Sequence, residues 1–163
     1  MKKSIFFVII SLLLVAVLSN MSYEQQTLIP TLRELLQEKP LENWLSQFEF
    51  HYWGSTITVE TRGYYYVIEF LIRKATHFFG YGILAVIFYF FYRKLSWRLP
   101  TVLAFLSIVI IASLDEFRQS TIPGRSGIVD DVILDACGAF TLLVCVKLFC
   151  WSSHKIKQVR EVR

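Results

Sequence analysis

Three short polar groups stand out in a chain that is otherwise dominated by apolar residues. Lys74, His77 and Tyr81 are spaced three and four apart, so on a helix they share one stripe. Glu116 and Gln119 are one turn apart at the end of another apolar run. Asp131, Asp135 and Gly138 are spaced four and three at the start of the next. Arg125 lies just before that third group, after the turn signal Pro123-Gly124. A histidine beside carboxylates can move protons, and a guanidinium can take a phosphate or carboxylate in two-point contact. His77, Glu116 and Asp131 are the candidates for acid–base work. Lys74, His77, Tyr81, Glu116, Gln119, Arg125, Asp131 and Asp135 are the candidates for a ligand-binding set. A divalent metal held by His77, Glu116 and Asp131 is a weaker alternative, and no metal or other cofactor is expected.

Chemistry of this kind needs elements that carry it, and here they are membrane spans. Of the 163 residues, 55% are hydrophobic, above the ~45–50% usual in soluble domains, and they are concentrated in runs. A bilayer core of ~30 Å needs about 20 apolar residues in helix. Four runs qualify: Ser4 to Ser19, Thr76 to Tyr92 with an approach from Tyr64, Leu95 to Leu114, and Gly127 to Trp151. Lys2 and Lys3, then Arg93, Lys94 and Arg98, then Lys147 and the tail lysines and arginines flank these runs. Placing all three groups in the cytoplasm gives an N-in, C-in topology, with Trp97 and Trp151 as interfacial anchors. The +4 formal charge is spent on topology, so nucleic acid is not an expected partner. The first run also has the look of a signal peptide; it is read as a retained span. Cys137, Cys145 and Cys150 have neither metal-ligand nor disulfide-framework spacing.

The expected fold is an all-α membrane protein, a four-transmembrane-helix bundle with a small extracytoplasmic helix plus β-hairpin insertion between spans 1 and 2. One membrane domain covers 1–163: span 1 at 1–20, the insertion at 21–64, a three-span core at 65–151 and a basic tail at 152–163. In the insertion, Leu28, Leu32, Leu35 and Leu36 suggest one amphipathic helix and Leu41, Trp44, Leu45 and Phe48 a second. Phe48 to Trp53 alternates, Gly54-Ser55 offers a turn, and Thr56 to Glu60 is expected to return as the second strand. Glu69 and Arg73 can pair within span 2, and Asp115 with Arg118 at the end of span 3. Asp130 is placed where a helix N-terminus favours an acid, with Ser126 as its cap. Asp135 is different, because an unpaired aspartate that deep costs about 2.5–3.5 kcal/mol on insertion scales. Gly138 would let a neighbouring helix approach the same stripe. In this topology all the polar groups meet at the outer membrane face, either as a closed ion-pair network or as a polar pocket.

The ordered segments "RKATHFFGYGIL" and "LDEFRQSTIPGRSGIVDDVILDACGA" resemble the VanZ-like family, named for the accessory teicoplanin-resistance protein of enterococci. The matching positions are Lys74, His77, Phe78, Tyr81, Glu116, Gln119, Pro123, Gly124, Arg125, Asp131, Asp135 and Gly138, over roughly Ile68 to Val144; Asp135 stands where asparagine is common. The resemblance implies a multi-pass protein of the Gram-positive cell membrane and reduced susceptibility to lipid-tailed glycopeptides. Membrane lipids, a cell-wall precursor or a glycopeptide antibiotic are then the expected partners. Three functions follow for test: a binding protein with an anion-recognising pocket, an enzyme on a lipid-linked envelope substrate using Glu116, His77 and Asp131, and a structural partner whose polar stripe only assembles helices.

Overall fold

The computed structural model describes residues 2–122 and 127–161, with side chains described as far as Ser153. Pro123, Gly124, Arg125 and Ser126 fall outside the described residues, and with them the expected turn, the cation and the cap. Four helices are long and apolar enough to cross a membrane: α1 (Lys2–Asn20), α6 (Tyr64–Lys94), α7 (Pro100–Ser120) and α8 (Val129–Glu161, apolar to Ser153). The helices begin and end differently from the apolar runs. Pro100 opens α7, where its missing N–H is one that no helical partner would have used. The residues before it, Leu95 to Leu99, form the short connection from α6, with Ser96 and Leu99 both at positive φ. Span 3 therefore runs from Pro100 to Ser120 and not from Leu95 to Leu114.

At 1.5 Å per residue, the 31 residues of α6 extend about 46 Å, against ~30 Å of hydrocarbon. Part of α6 must therefore stand beyond the bilayer core. The bundle centre is made of Tyr81, Leu84, Ala85, Phe88 and Tyr89 of α6, Ala104, Ile108 and Ala112 of α7, and Ala139 and Leu143 of α8. Alanines at the crossings let the backbones approach closely, the main source of helix association where lipid is as apolar as leucine. The most extensive interface joins α6 to α8, which run parallel, with α7 packed against both. By contrast, α1 buries only Ser19 fully; Val8, Leu12 and Val15 lean on the core and most of the other apolar side chains stay exposed.

Between α1 and α6 the chain forms four short helices, α2 (Tyr23–Gln26), α3 (Ile29–Leu35), α4 (Glu42–Leu45) and α5 (Val59–Arg62), and a hairpin of β1 (Phe50–Tyr52) and β2 (Ser55–Ile57). The hairpin register pairs Phe50 with Ile57, His51 with Thr56 and Tyr52 with Ser55. Two of the sequence expectations need correction here. The turn is Trp53-Gly54, both at positive φ, as a tight two-residue hairpin demands. The second strand stops at Ile57 because Thr58 caps α5: its hydroxyl accepts from Thr61 N–H and Thr61 Oγ1 accepts from Thr58 N–H. Of the expected leucine face only Leu32 is buried, while Leu35 is 74% exposed; α3 is too short to bury a continuous stripe.

The insertion is fastened to the bundle by hydrogen bonds. Tyr64 Oη donates to the Pro40 carbonyl at 2.8 Å and Tyr65 Oη to that of Leu36 at 3.2 Å. Thr27 Oγ1 donates to Glu69 Oε2 at 3.1 Å. Trp53 N–H donates to Asp130 Oδ2 at 2.9 Å, so Asp130 does more than complement a helix dipole.

Candidate functional site

The three polar stripes converge at the insertion end of α6, α7 and α8. Along the α6–α8 seam they interlock turn by turn. Lys74 Nζ reaches Asp131 Oδ1 at 2.5 Å. One turn deeper, His77 Nδ1 lies 3.2 Å from Asp135 Oδ1, and Asp135 is fully buried. Deeper again, Gly138 lies against the backbone of Phe78, so closely that a Cβ there would collide with the Phe78 carbonyl. The Lys74–His77 spacing of three and the Asp131–Asp135 spacing of four each span about one turn, so the two ionic levels coincide on helices that run parallel.

The α7 residues sort themselves differently from the sequence expectation. Asp115 does not pair with Arg118. It accepts from Tyr81 Oη at 2.7 Å and from Gln119 Nε2 at 2.9 Å, while Arg118 donates to Thr121 and to Asn20 of α1. A nearest-neighbour ion pair on an exposed helix face is worth a few tenths of a kcal/mol, less than satisfying a buried tyrosine hydroxyl. Glu116 uses Oε2 to accept from Ile128 N–H at 2.9 Å, while its shielded Oε1 has no hydrogen-bond partner among the described residues. His77, Glu116 and Asp135, from three different helices, bring one ligand-capable atom each within 4.8 Å of one another. Among the described residues this is the constellation able to hold a metal. Asp131, the third acid of the sequence expectation, belongs instead to Lys74 and Tyr52.

Tyr52 is a residue the sequence did not single out. Its hydroxyl donates to Asp131 Oδ1, its ring lies 4.2 Å from Lys74 Nζ, and it packs edge-on against Phe70. Burial, and then the adjoining Asp131, push its pKa well above the ordinary tyrosine value, so it remains a proton donor. Alternation places Tyr52 on one side of a strand but cannot say which helix that side meets. Glu69 and Arg73 pair as expected, at 2.7 Å, and do more. Glu69 is buried and holds Thr27, and Arg73 also reaches Gln26 and lies over the Tyr23 ring.

Two cavities open around these groups. One, of 330 Å³, lies under the hairpin and is lined by Tyr52, Trp53, Arg62, Tyr66, Glu69, Arg73, Lys74, His77, Gln119 and Asp131 among others. It holds three permanent cations against two carboxylates. Arg62 lies over the Tyr66 ring and, among the described residues, has no carboxylate in ion-pair range. The second, of 680 Å³, is an apolar groove between α1 and α6, with Leu14, Leu18, Gly80, Ile83 and Ile87 on its walls. Arg73, His77 and Gln119 line both.

The VanZ/LLP1 family model matches residues 4–150. The chain belongs to the VanZ/LLP1 family. No curated protein and no solved structure matches it. The match spans the four helices and the insertion together, so this VanZ/LLP1 protein is a multi-pass membrane protein with its insertion inside the family domain.

Proposed function

We propose that the chain is a binding protein for an anionic, lipid-tailed molecule of the cell envelope, acting at the outer leaflet of the cell membrane as a glycopeptide-resistance accessory of the teicoplanin type. One observation carries this reading: a cation-bearing polar cavity and an apolar groove share Arg73, His77 and Gln119 as a common wall. An amphiphile needs such a pair, with a place for a headgroup and a path for a chain. Lys74 and Arg73 are already matched by Asp131 and Glu69, so Arg62 is the described cation left for the ligand's charge, and Arg125 joins it on sequence grounds. Tyr81, Glu116, Asp131 and Asp135 would act by holding the cations and His77 in place. Membership of the VanZ/LLP1 family and the spans' positive flanks support the membrane setting and the outward face.

The test uses full-length protein in lipid nanodiscs with a photoactivatable long-chain alkyl phosphate and, separately, a lipid-tailed glycopeptide. Gly80→Trp should cut labelling by filling the groove, since nothing of the protein lies within 4 Å of a Cβ at Gly80. Arg62→Ala should weaken binding about fivefold, the worth of roughly 1 kcal/mol for an exposed charge. Unchanged labelling in both variants would overturn the reading. The convergence of His77, Glu116 and Asp135 favours a second reading, a hydrolase or transferase on a lipid-linked envelope substrate. Mass spectrometry of envelope lipids from a deletion strain decides it, and an unaltered lipid profile would dismiss it.

A further inference from the structure

Among the described residues, Glu116 Oε1 and Ser19 Oγ are buried without a hydrogen-bond partner, and the first belongs to an ionisable group. Glu116 is 5% exposed, and its Oε1 is shut off from solvent without a hydrogen-bond donor among the described residues. An acceptor left in that state costs about 1–3 kcal/mol, more if it is charged. Its other oxygen is already committed to Ile128 N–H, so the carboxylate is held by one arm and offers the other. Within 4.8 Å of a carboxylate oxygen of Glu116 are the only two groups among the described residues that complete a ligand set with it, His77 of α6 and Asp135 of α8.

We propose that His77, Glu116 and Asp135 form a binding site for a divalent cation of the zinc or manganese class. One imidazole and two carboxylates suit these ions, as nitrogen and oxygen donors of intermediate hardness. Ligands about 2.1 Å from a tetrahedral ion stand roughly 3.4 Å apart, and His77 Nδ1 and Asp135 Oδ1 already stand 3.2 Å apart. The widest separation in the trio is no more than 4.8 Å, close enough for one ion to lie among the three donors. The donors come from three helices whose crossings are fixed by Ala85, Ala104, Ala112 and Ala139, which gives the site a rigid frame. Three protein ligands leave at least one position for water or an anion. His77 is the member of the trio that lines both cavities, so that position opens toward them. A phosphate oxygen of an anionic headgroup would fit it. That last step rests on the lipid reading; the metal site itself does not.

The test is direct ion binding, independent of any lipid. Tag-free full-length protein in detergent, stripped with chelator, is titrated with Mn²⁺ and followed by loss of the free-ion electron paramagnetic resonance signal. Zn²⁺ is then added as competitor. Mn²⁺ is chosen first because exposed cysteines such as Cys137 and Cys145 attract zinc adventitiously. Wild type should take up one Mn²⁺ per chain and release it to Zn²⁺. Glu116→Gln, which keeps an oxygen for Ile128, should weaken binding at least about tenfold, no less than the loss of an outer-shell partner, with its ion-free melting temperature close to that of wild type. Absence of saturable binding by wild type, or equal binding by E116Q, would overturn the proposal. If E116Q does not fold, wild type still decides: bound Mn²⁺ must broaden the His77 ring resonances more than those of His51, and equal broadening counts against the site.

Discussion

Removing either partner of the Lys74–Asp131 pair should destabilise the protein, and by unequal amounts. The Asp131 side chain is 8% exposed, and Lys74 19% with a wall of the polar cavity beside it. Lys74→Met would leave a carboxylate buried with, among the described residues, the Tyr52 hydroxyl to answer it. Stranding a buried charge costs about 3–5 kcal/mol, and relief is limited because less of Asp131 than of Lys74 is exposed to the cavity both line. Asp131→Asn leaves Lys74 with the faces of Tyr52 and Phe70, at 4.2 and 5.5 Å, worth about 0.5–2 kcal/mol, and with access to the cavity. The amide oxygen still accepts from Tyr52. Its cost should therefore be about 1–3 kcal/mol, and the double variant should cost less than the two singles together, with a coupling of about 1–3 kcal/mol. Reversible unfolding in mixed micelles, run on the four proteins of the cycle, gives these numbers. Additive costs, or a larger loss from Asp131→Asn than from Lys74→Met, would refute the assignment of this pair as the buried, charge-compensating contact.

Further outcomes concern the seam and the hairpin. Gly138→Ala should cost about 1–3 kcal/mol, since its new Cβ meets the Phe78 backbone and no flexible side chain can give way; Gly80→Ala in the same bundle, with nothing within 4 Å, should cost nothing, and thermal melts of the two compare them. Tyr52 sets the pH response of hairpin docking. Its pKa is raised in the folded state, so its contribution is complete below the free-tyrosine pKa of about 10 and falls as pH rises beyond it. Trp53 fluorescence, with Trp44, Trp97 and Trp151 replaced by phenylalanine, should report undocking above about pH 10, and Tyr52→Phe should abolish that slope. Asp130→Ala should speed amide exchange at Trp53, whose N–H it accepts, while exchange in the core of α6 stays unchanged.

The spans and the α6–α8 stripe could be read from the sequence because helical period is a local property. Lys74 and His77, and Asp131, Asp135 and Gly138, each share a helix face whatever the rest of the chain does. Which acid met which cation was only partly readable. Asp115 looked like the partner of Arg118 because both lie on α7, yet Tyr81 supplies the stronger contact from another helix. Strand length failed at Thr58 for a similar reason. Alternation continues through Thr56 to Glu60, but a reciprocal Thr58–Thr61 cap turns the chain into α5. Tyr52 escaped notice because its importance comes from docking, which no pattern within the hairpin encodes. Glu116 was found by its spacing from Gln119, though its unmatched oxygen is visible only in three dimensions.

The parallel seam between α6 and α8 has a further consequence for how the two helices find their alignment. A slip of α8 by one turn, ~5.4 Å, would bring Asp135 level with Lys74 in one direction, or Asp131 level with His77 in the other. Either way an acid still faces a base, so electrostatics alone tolerates neighbouring alignments. The same slip would push Leu142 or Leu134 into the gap that Gly138 leaves beside Phe78. Charge thus picks out the partner helix, and one missing side chain fixes the depth at which it stops.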